Sequence, residues 1–458
     1  MNAPDFAPMP DAVSLRGLRH ALLARRITAT ALTEQVLKAA EQSRRAVNAF
    51  ATIDWDHALK AAAESDRRYE NGTARALEGL PIGVKDLIDT RGIETCYGSA
   101  AYRGHRPTAD ADVVHSLVDR GAIVIGKTTT HEFAWGVSTS SMRFGDTLNP
   151  LDRSRIPGGS SGGAAASIAS GALTVGLGTD TGGSVRIPAA LCGVVGFKPT
   201  FDTLSTRGVF PLAPTCDHVG LLGRQVDDVL WLANALFIDV PESDAWLSAR
   251  LGVLRQIGPV PLAPDVATAF DAAIQRLART FACQDVSSAS LFDGVFDAFA
   301  SIVLVEGGIE HFRRSSWDRI AAEYEPETAD RLRRAQSMDL RPYAAAQDTR
   351  RRFVADLHDV MTRVDYLVLP TCPCTAPPLG ASTLDIGHWS GTLREALMTY
   401  TAPFNVAGFP AISIPLPAAE GALPSALQIV ARPGDDGALL QIAQQIETLL
   451  NNVPHEDA

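Results

Sequence analysis

The chain has 458 residues, 46% hydrophobic and 20% charged, with a formal net charge of −11. Such proportions suit a globular protein large enough to bury a sizeable core. The acidic balance argues against a broad nucleic-acid footprint, though not against a local basic patch, and no apolar run approaches the ~18 residues that cross a bilayer. Ten scattered histidines show no metal-ligand spacing of the HExxH kind. Six cysteines in a chain this long do not make a disulfide framework. Cys372 and Cys374, a C-x-C pair in a proline-rich stretch without further ligands nearby, read as free thiols. The opening MNAPDFAPMPDAVS has neither a basic nor an apolar leader region, so a cytoplasmic protein is expected.

Leu15, Leu18, Leu22 and Leu23 recur at helical spacing. Thr28 or Thr30 is placed to cap a second helix carrying Leu32, Val36, Leu37 and Ala40. Residues 48–54 (NAFATID) predict a short strand, and 58–69 a helix. From Leu80, PIGVKDLIDT is an apolar run bounded by Pro and Gly, the pattern of a buried strand. Residues 113–120 predict a helix and 122–125 a strand ending at Gly126, an alternation that points to an α/β sheet. Residues 158–196 are rich in Gly and Ser, with a helix predicted at 164–169 and a strand at 173–177. Residues 240–360 predict mostly amphipathic helix. Strands are expected at 366–369, 411–415 and 426–430, with a Pro-rich loop to Leu379 after the first and a terminal helix at 439–450. No tandem repeat or linker composition interrupts the chain, so residues 1–458 are read as a single domain.

Two glycine-rich segments carry the chemistry. GGSSGG occupies 158–163 and DTGGS occupies 180–184, placing Ser160 and Ser184 24 positions apart in turns at element ends. Glycines admit positive φ and let backbone N–H groups approach a ligand. A run of such groups before a nucleophile can bind a developing oxyanion. The backbone at Thr181, Gly182, Gly183 and Ser184 is the candidate. A serine nucleophile needs a base. No histidine lies in or beside either segment; His131 and His218 are the nearest. There is no G-x-S-x-G elbow and no Gly-Lys-Ser/Thr P-loop ending. A lysine made neutral by burial can replace histidine. Lys85, ending the apolar run in GVKD, fits that role.

With these residues in place, the sequence resembles the amidase signature family. The resemblance covers about residues 81–220, through GGSSGG…GTDTGGSVRIPAALCGVVGFKPT, and returns at YTAPFNVAGFPAISIP, 400–415. It implies a single large α/β domain with a mixed central β-sheet enclosed by α-helices. It also implies a Ser-cis-Ser-Lys group, placed here on Ser184 as nucleophile, Ser160 as bridge and Lys85 as base, with Asp180 and Arg186 in support. By the same resemblance Phe133, Ala134 and Trp135 help line the acyl pocket; Met142, Phe144 and Phe210 are weaker candidates. Arg207 reads as a solvated arginine.

The implied activity is hydrolysis of small or aryl-substituted amides through an acyl-enzyme on Ser184, without cofactor or metal. Esters and carbamates, urethanes among them, are served by the same chemistry. LAPTCDHVGLLGR, 212–224, departs from the family's commoner serine and proline pattern, and 240–360 matches no assigned segment; both bear on the pocket entrance. The expected partner is a small-molecule substrate, with no nucleic acid and no membrane, and a homodimer stays open as the assembly. The alternative is a glutaminase component of a tRNA-dependent amidotransferase complex. A catalytically silent scaffold is disfavoured by the intact Ser-Ser-Lys set.

Overall fold

The N-terminal helices begin where the sequence supplies a side-chain cap. Ser14, Thr28 and Asp54 accept the N–H groups of Gly17, Ala31 and His57, opening helices Leu15–Leu23, Ala29–Val47 and Trp55–Glu70. Thr30, the other cap candidate, instead donates its hydroxyl to Asp66 at 2.6 Å. The computed structural model describes residues 14–236, 238–240, 245–287 and 290–452. The opening stretch read for a leader therefore lies, up to residue 13, outside the described residues.

Thirteen strands occur among the described residues: β1 Phe50–Ile53, β2 Pro81–Lys85, β3 Ile123–Thr128, β4 Val175–Asp180, β5 Val195–Lys198, β6 His218–Gly223, β7 Arg250–Val253, β8 Ala282–Asp285, β9 Tyr366–Pro370, β10 Thr383–Ile386, β11 Trp389–Thr392, β12 Ala411–Pro415 and β13 Ala426–Val430. Eleven form one sheet in the order β1-β3-β2-β4-β6-β5-β12-β13-β9-β7-β8, while β10 and β11 make a separate hairpin. The sheet is mixed. β2 runs parallel to β3 and β4, β7 runs parallel to β8 and β9, and the strands between pair antiparallel. Helices cover it, giving a single α/β domain.

Alternating side chains sort to the sheet's two faces. Val368 of β9 enters one hydrophobic cluster with Ile412, Leu427 and Ile429, while Leu367 and Leu369 enter a second with Ala411 and Val430. β2, β3 and β4 are buried along their whole length, as expected of strands covered on both faces.

Two expectations are corrected, and the mostly helical reading of 240–360 is filled out. β3 does not stop at Gly126 but runs on to Thr128. That glycine marks a close approach, because a Cβ there would lie 2.1 Å from the Thr52 carbonyl oxygen of β1. β4 begins at Val175 rather than Leu173 and continues to Asp180, so the loop carrying Ser184 starts directly at a strand end. The segment 240–360 is not helical alone. It also contributes β7 and β8, which finish one side of the sheet.

Candidate active site

Lys85 is the last residue of β2 and its side chain is fully buried. Its Nζ lies 2.7 Å from Ser160 Oγ and 2.8 Å from Thr179 Oγ1. Burial pushes its pKa down to about 7, against the opposing pull of the Asp180 and Asp217 charges. Ser160 is fully buried and follows a cis Gly159–Ser160 peptide bond. The loop is held by Thr139, whose hydroxyl donates to the Gly158 carbonyl (2.8 Å) and accepts from Gly162 N–H (3.0 Å). The next residue, Ser161, donates its N–H to the Ser184 carbonyl at 3.0 Å. The two glycine-rich segments are thus joined, and Ser184 is 2% exposed beside them.

Asp180 organises the second segment. Its carboxylate accepts from the N–H groups of Gly183 (2.8 Å) and Val185 (3.1 Å) and takes a two-pronged contact from Arg186, Nε at 3.0 Å and Nη2 at 2.9 Å. Burial raises its pKa, but the Arg186 charge and hydrogen bonds, with Lys198 and Asn405, hold the carboxyl well below its usual range. The expected oxyanion cradle is narrowed by this contact. Gly183 N–H is directed to Asp180, which leaves the N–H groups of Thr181, Gly182 and Ser184, for which no acceptor is found among the described residues.

Sequence reading missed the residues that fix this arrangement from far along the chain. Arg186 also donates to the Thr401 carbonyl (3.0 Å), Gln428 Oε1 (2.6 Å) and Asn405 Oδ1 (2.6 Å). Asn405 Nδ2 returns to the Asp180 carbonyl at 2.8 Å, and Thr401 Oγ1 donates to the Gly182 carbonyl at 2.7 Å. Thr181 Oγ1 donates to buried Asp217 at 2.6 Å. Thr401 and Asn405 stand within YTAPFNVAGFP, whose resemblance was legible although the contacts were not. His218, opposite Asp180 in the β4–β6 ladder, is also close to the site. Burial and the Lys198 charge hold its pKa well below the usual value, so it is neutral.

The residues expected along the acyl pocket lie inside the fold. Phe133 and Ala134 adopt left-handed φ values of 49° and 60° and, with Trp135, are buried in an aromatic core. Phe133 packs on Phe210 (4.8 Å between ring centroids) and His311 (4.6 Å), and Trp135 packs against His311 and Gly307. The chain reaches open space one residue later. Gly136, Val137 and Ser138 line a cavity of about 420 Å³, walled opposite by Phe296, Ala300 and Arg394. Val137 lies against Gly159, since a Cβ on that glycine would come within 2.9 Å of the Val137 carbonyl carbon. Phe299 and Met398 close over Gly182, reaching 2.3 and 2.5 Å from where its Cβ would stand. Met142 is exposed, and Arg207 is solvated and paired with Asp112. All six cysteines are free. Among the described residues no cluster of His, Cys, Asp or Glu has the size of a metal site, and no helix is long and apolar enough to cross a membrane.

A family model described as Amidase matches residues 31–440. The protein is thus a hydrolase acting on carbon–nitrogen amide bonds. It belongs to the amidase signature family. Among solved structures, one described as an amidase is 32% identical and superposes with a TM-score of 0.87 over 96% of this chain and 100% of its own. The peptide amidase from Stenotrophomonas maltophilia is 27% identical, with a TM-score of 0.82 over 98% and 100%. The chain is also 34% identical to the A subunit of glutamyl-tRNA(Gln) amidotransferase from Chloroflexus aurantiacus, over 94% of this chain and 95% of that protein.

Proposed function

We propose that Ser184 is the nucleophile of a stand-alone amidase for small or aryl-substituted amides, with Ser160 and Lys85 as its proton relay. Neutral Lys85 accepts the Ser160 proton while Ser160 Oγ takes that of Ser184, and Ser184 Oγ attacks the carbonyl carbon. The oxyanion rests against the N–H groups of Thr181, Gly182 and Ser184. Collapse breaks the C–N bond, and the relay returns its proton to the leaving nitrogen. Water then attacks the acyl-enzyme by the same route, releasing the carboxylic acid. The observation that carries this reading is the fully buried Lys85 amine, 2.7 Å from Ser160 Oγ, with its pKa brought down to about 7.

Phe299 and Met398 make the ground above Gly182 apolar, which favours an aryl or alkyl acyl group. Esters and carbamates fit the same acyl-enzyme cycle, so anilides, aliphatic amides, esters and urethanes belong in one panel. Ser184→Ala, Ser160→Ala and Lys85→Ala should each lower kcat on the best substrate by a hundredfold or more, on the order of general-base and nucleophile losses. Unchanged turnover in Ser184→Ala would refute the assignment.

A second reading rests on the whole-length similarity to amidotransferase A subunits. In it the chain releases ammonia from glutamine within a complex that includes protein partners and tRNA. The apolar cover over Gly182 disfavours glutamine's charged end. Glutaminase activity that appears only when partner proteins are added would favour this second reading.

A further inference from the structure

The three residues ahead of Ser184 are each tied to a different part of the chain. Gly183 N–H goes to Asp180, the Gly182 carbonyl accepts the Thr401 hydroxyl, and the Thr181 hydroxyl donates to Asp217 at 2.6 Å. The contact to Asp217 bears on Thr181 N–H, which finds no acceptor among the described residues. That N–H shares a planar peptide with the Asp180 carbonyl, which accepts from Asn405 Nδ2 at 2.8 Å. A trans peptide turns its N–H away from its carbonyl. Asn405 therefore fixes one side of this peptide and the Thr181 side chain the other.

Asp217 is fixed in turn. Its carboxylate accepts from Leu212 N–H (2.9 Å) and Ala213 N–H (3.1 Å), which closes the loop 212–217 on itself. Two helices of the segment 240–360 grip this loop from outside. Glu306, in the helix Val295–Phe312 and 7% exposed, accepts from Thr215 N–H at 3.0 Å and from Thr215 Oγ1 at 2.7 Å. Arg350, in the helix Leu340–Met361, donates to Thr215 Oγ1 and to the Thr215 carbonyl, both at 2.9 Å. Every polar atom of Thr215 is thus engaged by these two side chains. The helix backbone also sits close, since a Cβ on Gly307 would lie 3.2 Å from the Leu212 carbonyl oxygen.

An oxyanion donor stabilises the transition state only if its direction is set before the charge develops. The tolerance for such a group is about 0.5 Å. A hydroxyl–carboxylate bond is short and strong enough to hold one rotamer. We propose that Glu306 and Arg350 are positioning residues for the reaction: they hold the loop 212–217, whose Asp217 sets the Thr181 N–H toward the oxyanion. The proposal rests on the reading above in that Ser184 attacks a carbonyl. It gives a role to the segment 240–360 and to the loop that departs from the family's commoner pattern.

Asp217 itself is a poor probe, because its charge also raises the Lys85 pKa. Variants on either side of it are cleaner. Thr181→Val keeps the backbone N–H and removes the anchor. Its kcat on 4-nitroacetanilide should fall by about tenfold or more with KM little changed, as for a weakened oxyanion contact. Affinity for 2,2,2-trifluoroacetophenone, whose adduct with Ser184 carries the same oxyanion, should fall in parallel. Thr181→Ser keeps the hydroxyl and should retain most of both. Glu306→Gln turns one acceptor facing Thr215 into a donor and should lower kcat by about threefold or more. In the double variant, Glu306→Gln should cost nothing further once Thr181→Val has removed the anchor. Thermal unfolding checks that each variant folds, and Thr215→Val replaces Thr181→Val where that variant does not. Losses that multiply in the double variant, or single variants with unchanged kcat and ketone affinity, would overturn the positioning role and leave the amidase. Ketone binding that weakens in Thr181→Val and Glu306→Gln, without turnover of any amide by the natural sequence, keeps the positioning role and sinks the amidase reading. Neither binding nor turnover by the folded natural sequence sinks both.

Discussion

In the proposed relay, Lys85 sets the pH behaviour of the site. Its amine must be neutral to accept a proton, and burial places its pKa at about 7. Below that pH the amine is protonated and idle; above it the base is available. We predict that kcat/KM for a neutral anilide rises through about pH 7 and levels off above it. Lys85→Ala should remove that limb and cost a hundredfold or more in rate. A flat profile across the same range in the natural sequence would contradict the assignment. Asp180 and Arg186 act differently, because both side chains are 0% exposed and define one another's position. Asp180→Asn leaves a guanidinium buried without its counter-ion, a change that costs about 3–5 kcal/mol in comparable pairs. The urea midpoint should fall accordingly, together with activity. Ser184, Ser160 and Lys85 were legible as candidates in the sequence, because glycine-flanked serines and a lysine ending an apolar run are local patterns, whereas Asp180 and Arg186 entered only through the family resemblance. Gln428 and Thr179 were not legible. Gln428 shares a face of β13 with Ala426 and Val430 and meets Arg186 only through the sheet, and Thr179 reaches Lys85 only through the β2–β4 pairing.

The elements that bring these residues together depend on close approach. The helix Gly162–Ala169 follows directly from the Ser160 turn, and Gly163 presses it against the end of β3. A Cβ there would stand 2.3 Å from Thr129 Oγ1 and 2.4 Å from its backbone nitrogen. Gly163→Ala must therefore shift the helix and the attached Ser160. We predict a loss of about 1–3 kcal/mol and a drop in kcat beyond what the unfolded fraction explains, read by comparing denaturant midpoints with turnover under fully folded conditions. Normal kcat in a folded Gly163→Ala protein would show that the loop tolerates displacement. Element limits were legible where burial imposes a clear pattern, so β12 and β13 fall at the predicted residues. β7 and β8 escaped because each is only four residues long. β8 is largely exposed besides, so neither offers a long enough alternation to read.

At the scale of the whole molecule, one mixed sheet joins two hydrophobic clusters, and the chemistry sits where the β4 end meets the helix Val295–Phe312. Ser184 belongs to the loop after β4, Phe299 to that helix, and Thr401 and Asn405 to the segment before β12. The α/β class with a mixed sheet was legible from the alternation of elements and the family resemblance, whereas the cavity was not, since its walls come from four separated stretches of chain. Because every proposed catalytic group lies in this one domain, the purified chain should hydrolyse an anilide without added proteins. Turnover strictly dependent on partner proteins would move the protein toward the amidotransferase reading. The most direct measurement of the central claim is intact mass after treatment with phenylmethanesulfonyl fluoride, followed by peptide mapping, for the natural sequence, Ser184→Ala, Ser160→Ala and Lys85→Ala. The account predicts a single sulfonyl adduct on Ser184, absent from Ser184→Ala and slowed in Ser160→Ala and Lys85→Ala. An adduct on another residue, or none on the folded protein, would contradict it.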